Sequence, residues 1–262
     1  MTERWTRRRL LSAALASACA GLSGCSFFGD SSIKKAQARQ FELQQPLPEL
    51  PSNFNTASIV QYVAEHAQIT TANEQLAENA TNAQVTSVAS LARQIENSFY
   101  LVVSVTGTVD FPNGATPRFG KTLFYYVDTT QTLWAEHTAV RDLDRYGSSS
   151  TGDIGDAGIE LTNFQPNEQT LSVVVRDTST DTNKTILDRS VVLPPTGGKS
   201  LSFIYKTGTY IVQILGENTN QQFRWQVTEN SSSELWVYTS PAGRTRACGT
   251  AEENCRDTFE RI

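Results

Sequence analysis

Two histidines, His66 and His137, and four cysteines, Cys19, Cys25, Cys248 and Cys255, are the side chains in these 262 residues best suited to nucleophilic, acid–base or metal chemistry. Two imidazoles cannot build a three-histidine metal site. A blue-copper site needs two His, a Cys and a weak axial ligand, but the sole methionine is Met1 and the cysteines lie far from either histidine. The sequence has no Gly-x-Ser-x-Gly elbow, no His-Glu-x-x-His and no Gly-x-x-x-x-Gly-Lys phosphate loop. Thr196-Gly197-Gly198-Lys199-Ser200 stands between two β patterns rather than before a helix, so it reads as a strand connection. Asp142, Asp144, Asp153 and Asp156 offer the hard oxygens that calcium takes, without the Asp-x-Asp-x-Asp-Gly order, and read as a solvated acidic loop. Glu252 and Glu253 sit in a polar tail. His66, alone on a helical pattern, reads as a packed or surface residue. No catalytic residue, metal or cofactor is expected.

Cys25 has a different chemistry in prospect. Arg7-Arg8-Arg9 is a twin-arginine-like start, the apolar run Leu10–Gly21 follows, and Leu22-Ser23-Gly24-Cys25 closes it. A positive n-region, a short h-region and a small-residue cleavage site are the order of an export signal. The run falls short of the roughly 20 apolar residues that span a bilayer. Leu22-Ser23-Gly24-Cys25 resembles a lipobox, in which the thiol is acylated and becomes the first residue of the mature chain. Cys19 competes for that role, but Ala16-Ser17-Ala18 lacks the large apolar residue that Leu22 supplies. Residues 1–24 are therefore expected to be a lipoprotein signal peptide, with Arg7 and Arg8 directing export and Cys25 holding the lipid.

Without residues 1–24, which carry Arg4, Arg7, Arg8, Arg9 and Glu3, the chain keeps 18 basic and 26 acidic side chains, about eight negative charges net. That balance argues against nucleic acid as a partner, because phosphate neutralisation needs clustered Lys and Arg. Cys248 and Cys255 remain as an isolated pair near the C-terminus. In an oxidising compartment they are expected to form a disulfide, contributing roughly 2–3 kcal/mol to that local tail.

The elements follow from periodicity. Residues 25–55 read as a tether, with Pro46, Pro48 and Pro51 extending its second half. Thr56–Asn97 reads as helical: Ile59, Tyr62 and Val63 share a face behind a cap at Thr56 or Ser58, and Val85, Val88, Leu91, Ala92 and Ile95 share another. At Ser98 the period changes to that of strands. Phe99–Val109, Phe119–Val127 and Leu133–His137 form a three-stranded antiparallel meander, and residues 56–140 are expected to be a small α+β unit of two helices on that meander. Tyr125, Tyr126 and Trp134 are expected to serve packing rather than a ligand platform. Residues 141–158 read as an acidic Gly/Ser linker.

From Ile159 the pattern is β throughout: Ile159–Phe164, Thr170–Arg176, Lys184–Val192, Ser200–Tyr205, Gly208–Leu215, Gln222–Thr228 and Glu234–Tyr238. About seven short strands divided by turns are the pattern of an immunoglobulin-like β-sandwich over residues 159–240, with residues 241–262 a polar tail carrying the Cys pair. Tyr210 suits a sheet corner, and Trp225 packs from the next strand. Val173-Val174-Val175-Arg176-Asp177-Thr178, the run Ile186 to Pro195, and Gly208-Thr209-Tyr210, together with the twin-arginine lipobox start, resemble the haloarchaeal surface lipoproteins with immunoglobulin-like sandwich domains. A bacterial envelope is the alternative home. Asn79-Ala80-Thr81, Asn183-Lys184-Thr185 and Asn230-Ser231-Ser232 match the N-glycosylation acceptor.

The expectation is thus a mostly β, lipid-anchored, non-catalytic surface protein. It is held to the membrane through Cys25 on the extracytoplasmic side and binds or presents a protein or glycan that the residues do not name. The alternatives are a solute-binding component of an importer and an enzyme acting on an envelope polymer.

Overall fold

The computed structural model describes residues 33–141, 143–144, 146–147, 157–179, 183–204, 206–217, 219–227 and 235–249. Among them are one α-helix and thirteen strands, and the chain divides into two compact units, Met1–Thr132 and Leu133–Ile262. The signal segment 1–24 with Arg7 and Arg8, the lipidation residue Cys25, Cys255, Asn230, and Asp142, Asp153 and Asp156 lie outside the described residues.

In the first unit, four strands run side by side in chain order, all antiparallel: β1 (Ile33–Phe41), β2 (Asn82–Ile95), β3 (Ser98–Asp110) and β4 (Arg118–Val127). The helix α1 (Thr56–Ala77) packs on β1, β2 and β3. Asn55 caps its start one residue ahead of expectation. Its Oδ1 accepts from the Ser58 amide at 3.0 Å, and the Ser58 Oγ accepts from the Asn55 amide at 3.2 Å, so two end donors are satisfied reciprocally. Ile59, Val60, Val63, Ala64 and Ala67 are completely buried in the face turned to the sheet. Two buried polar side chains fix the helix laterally: Ser87 Oγ donates to the Ala64 carbonyl at 2.6 Å, and Gln68 Nε2 donates to the carbonyls of Val85 and Gln37 at 2.6 and 2.8 Å.

Two expectations fail here. The second helix over Val85–Ile95 is instead β2, so one helix rather than two covers the sheet. The buried positions are Ala83, Val85, Ser87 and Ala89, a period of two that small and polar residues disguise. A bulge between Leu91 and Arg93 then shifts the phase, so that Ala92 is buried as well. A strand with one extra residue imitates the three- and four-residue spacing of a helix. The expected tether also contributes structure, because β1 pairs with β2 from Ile33↔Ser90 to Phe41↔Ala83.

The second unit takes in β5 (Thr132–Ala139) from its second residue and continues with β6 (Ala157–Asn163), β7 (Gln169–Asp177), β8 (Lys184–Leu193), β9 (Gly197–Ile204), β10 (Gly208–Gly216), β11 (Thr219–Val227), β12 (Leu235–Thr239) and β13 (Thr245–Gly249). Five run in the order β5-β9-β6-β12-β13 and four in the order β11-β10-β7-β8. The β5–β9 and β6–β12 pairs are parallel and the remaining described pairs antiparallel. Alternate residues of both sets form one core: Ile159, Leu161, Leu201, Phe203, Leu235 and Val237 from the first, and Val173, Val175, Tyr210, Val212, Ile214 and Trp225 from the second. The seven strands expected from Ile159 onward correspond to β6–β12. The eighth, β13, lies in the stretch expected to be a polar tail and pairs with β12, placing Cys248 opposite Trp236.

Candidate functional site

Strand alternation sends a second set of side chains away from the core of the second unit. Ile159 and Leu161 face inward on β6, so Glu160 and Thr162 point the other way, as do Ser200 on β9 and Trp236 on β12. His137 joins them from β5, where the parallel pairing sets it opposite Gly198. That glycine is required: a Cβ there would lie 2.0 Å from His137 Cδ2 and 2.6 Å from the Leu161 carbonyl oxygen. The missing side chain lets the imidazole lie against β9.

The result is a closed polar network. His137 Nδ1 meets the Glu160 Oε2, and His137 Nε2 stands 2.7 Å from Thr162 Oγ1. Ser200 Oγ donates to the other Glu160 oxygen at 2.6 Å, and Trp236 Nε1 donates to Thr162 Oγ1 at 2.8 Å. Hydroxyl, imidazole and carboxylate thus occur in the order of a nucleophile, its base and the base's orienter. Chemistry on a substrate also needs access. Thr162 is 1% exposed, and the side chains of His137 and Glu160 are 5% and 8% exposed. With an indole N–H already on its oxygen, Thr162 is a member of a satisfied internal network rather than a presented nucleophile.

Two further clusters resolve in the same way. In the first unit, His66 Nδ1 lies 3.2 Å from both the Tyr125 and the Thr70 hydroxyls. Burial pushes the His66 imidazole down to about 4, so it is neutral at ordinary pH. Burial also drives the Tyr125 hydroxyl far upward, with the nearby Tyr62 and Glu74 adding to the shift. Tyr125 and Tyr126 are core residues, as expected of packing aromatics.

In the second unit, the fully buried Asp177 side chain receives Tyr146 Oη at 2.6 Å, the Ser179 amide at 2.8 Å, the Ser179 hydroxyl, and Lys206 Nζ at 3.3 Å. Burial would raise its carboxyl, but the Ser179, Tyr146 and Lys206 donors outweigh it and hold the group at about 2. The same bond to Asp177, followed by burial, lifts the Tyr146 hydroxyl to about 12. Lys184 and Lys206 stand 5.4 and 5.8 Å from the Tyr146 ring centroid. This cluster fastens Tyr146 to the end of β7.

Of the three glycosylation candidates, Asn79 and Asn183 are described, and both are exposed with positive φ, 70° and 42°, Asn79 in a turn. Asn79 belongs to the first unit and Asn183 to the second. Cys248 lies in β13, and its prospective partner Cys255 falls outside the described residues. The His137 network went unforeseen. Its signal was present in the polar Glu160 and Thr162 alternating with Ile159 and Leu161, but the partners come from strands far apart in sequence.

No protein-family model matches the chain, and no curated protein matches it. Among the described residues, no group of three or more His, Cys, Asp or Glu side chains is placed to hold a metal ion, and no helix is long and apolar enough to cross a membrane.

Proposed function

We propose that this chain is a lipid-anchored, non-catalytic protein of the extracytoplasmic membrane surface, whose domains bind or present a partner outside the cell. The observation that carries this reading is Cys25 directly after Leu22-Ser23-Gly24, at the end of an apolar run that begins at Arg7-Arg8-Arg9. Support for a binding rather than catalytic role comes from the side chains best suited to chemistry. His66, His137, Glu160 and Thr162 each have hydrogen-bonding partners inside the protein, and their burial keeps substrates away.

The second unit is read, more finely, as an immunoglobulin-like sandwich. In its favour, β10 lies between β11 and β7, with β8 outside β7, the arrangement of the G-F-C-C′ sheet. Tyr210, the third residue of β10, donates from its hydroxyl to the Lys206 carbonyl at 2.7 Å, which is the bond of a tyrosine corner. The Trp225 ring centroid lies 6.0 Å from that of Tyr210 in the core.

The mass of the mature N-terminus tests the anchor. Processing before Cys25 with acyl chains on its sulfur is expected, and Cys25→Ser is expected to move the protein from the envelope fraction to the soluble one when envelopes are washed in about 0.5 M salt. A Cys25→Ser protein that is processed normally and sediments with salt-washed envelopes like the wild type refutes the reading.

A further inference from the structure

We infer that the free edge of β1 and the segment after it form a second membrane contact, lying along a bilayer surface rich in acidic phospholipid headgroups. This rests on the lipid-anchor reading for its location. Cys25 precedes Ile33 by eight residues, a span of at most about 29 Å, so β1 begins within reach of the surface that would hold the lipid.

The composition of this stretch is unlike that of the remaining described surface. Among the described residues four large apolar side chains are exposed, and three of them, Ile33, Leu43 and Leu47, fall between residues 33 and 47, with Leu43 75% exposed. They are interleaved with Lys34, Lys35 and Arg39. Against these stand Glu42 and Glu49 in the same stretch, and Glu65 of α1, whose carboxylate is 3.9 Å from Arg39. Residues 33–50 thus carry one net positive charge in a chain that is acidic as a whole.

Edge protection accounts for part of this. Lysines and a bulge, here between Ala36 and Arg39, are common devices that keep an edge strand from pairing with other chains. Exposed Ile and Leu are the opposite of protection. They fit a surface whose apolar groups enter the headgroup–acyl boundary while neighbouring cations meet lipid phosphates.

The leucines are also held in place. Asn73 of α1 clasps the backbone between them, its Nδ2 donating to the Gln45 carbonyl at 2.7 Å and its Oδ1 accepting from the Gln45 amide at 2.8 Å. Gln44 Nε2 adds a bond to the Asn73 carbonyl at 3.3 Å. Leu43 and Leu47 therefore stay outside the core on a segment that is fixed to the helix, which lowers the ordering cost of a contact.

The test separates the edge from the lipid. Every described element lies at or after Ile33, so the mature chain from residue 25 with Cys25→Ser keeps all of them and has no acyl group. It is floated with vesicles of phosphatidylglycerol and phosphatidylcholine, and with vesicles of phosphatidylcholine alone. Binding is expected to the acidic vesicles and to weaken in about 0.5 M salt. Lys34→Gln with Lys35→Gln is expected to lower the partition about twenty-five-fold, about fivefold per cation. Leu43→Asp with Leu47→Asp is expected to lower it about a hundredfold, about tenfold per leucine, with the thermal melt unchanged as a check on folding.

Absence of flotation, or flotation indifferent to both pairs of substitutions, overturns the contact. If the cell-made protein still carries acyl mass on Cys25 in that case, the anchor stands alone. Flotation of the unlipidated chain together with an unmodified Cys25 in the cell-made protein sinks the anchor and keeps the surface contact.

Discussion

Replacing Asp177 by asparagine changes almost no volume and removes one charge, and the structure gives the cost. The carboxylate has no solvent exposure and accepts from Tyr146, Lys206 and both donors of Ser179. An amide keeps one acceptor and turns an N–H₂ toward either the Tyr146 hydroxyl and Lys206 ammonium or the Ser179 donors. Leaving such groups unpaired costs about 2–4 kcal/mol at pH 7.

The acid limb supplies an independent magnitude. The carboxyl stands at about 2 in the folded protein against 3.8 for the free group, and a unit of difference is worth about 1.4 kcal/mol. Because the folded value is depressed, the stabilisation is present above the unfolded value and lost as pH falls from near 4 through about 2. This group therefore accounts for about 2 kcal/mol of acid destabilisation over that window. Urea unfolding of wild type and Asp177→Asn at pH 7, 4 and 2.5 measures both effects. The variant is expected to be weaker at pH 7 and to lose less between pH 4 and 2.5. Equal stability at pH 7 together with an unchanged acid slope refutes the account.

Other consequences are separable from this one. Burial holds His66 at about 4 against 6.5 when free, so the unfolded chain takes up its proton first and stability falls as pH drops from 6.5 toward 4, by about 3 kcal/mol in total. That slope is expected to vanish in His66→Gln when unfolding is followed across the same range. Gly198→Ala places a methyl within 2.0 Å of the His137 ring and 2.6 Å of the Leu161 carbonyl oxygen. A loss of at least about 2 kcal/mol, read as a lowered urea midpoint, is expected from the displaced imidazole and broken Glu160 bond. A neutral outcome would show that the ring does not lie against β9.

Strands with a plain rhythm were legible. From Ile159 to Tyr238, large apolar residues alternate with polar ones and turns carry Gly, Pro, Asn and Asp, so β6–β12 could be drawn from the pattern within a few residues. Tyr210 and Trp225 stood out for the same reason, and both lie in the core of the second unit. The candidate polar network was not legible. Its members are spread over residues 137 to 236, and nothing local to His137 indicates that Glu160, Thr162, Ser200 and Trp236 will surround it.

β2 shows how local pattern misleads. The face it turns to α1 is built of Ala83, Ser87 and Ala89 as much as of Val85, and the bulge at Leu91–Arg93 breaks the count. Such small residues suit the site because α1 presses closely there, bonded through Ser87 and Gln68. β1 was obscured in a related way, since an edge strand buries little and reads as polar linker.

Read alone, the amino-acid order settled what depends on neighbours along the chain: the strand-rich character, most turns, the first half of the helical stretch and the acidic balance. Packing decided the rest. A strand gains its partner, a buried carboxylate its donors and a glycine its necessity only when distant segments meet, because hydrogen bonds and steric contacts act over a few ångströms of space irrespective of separation in sequence.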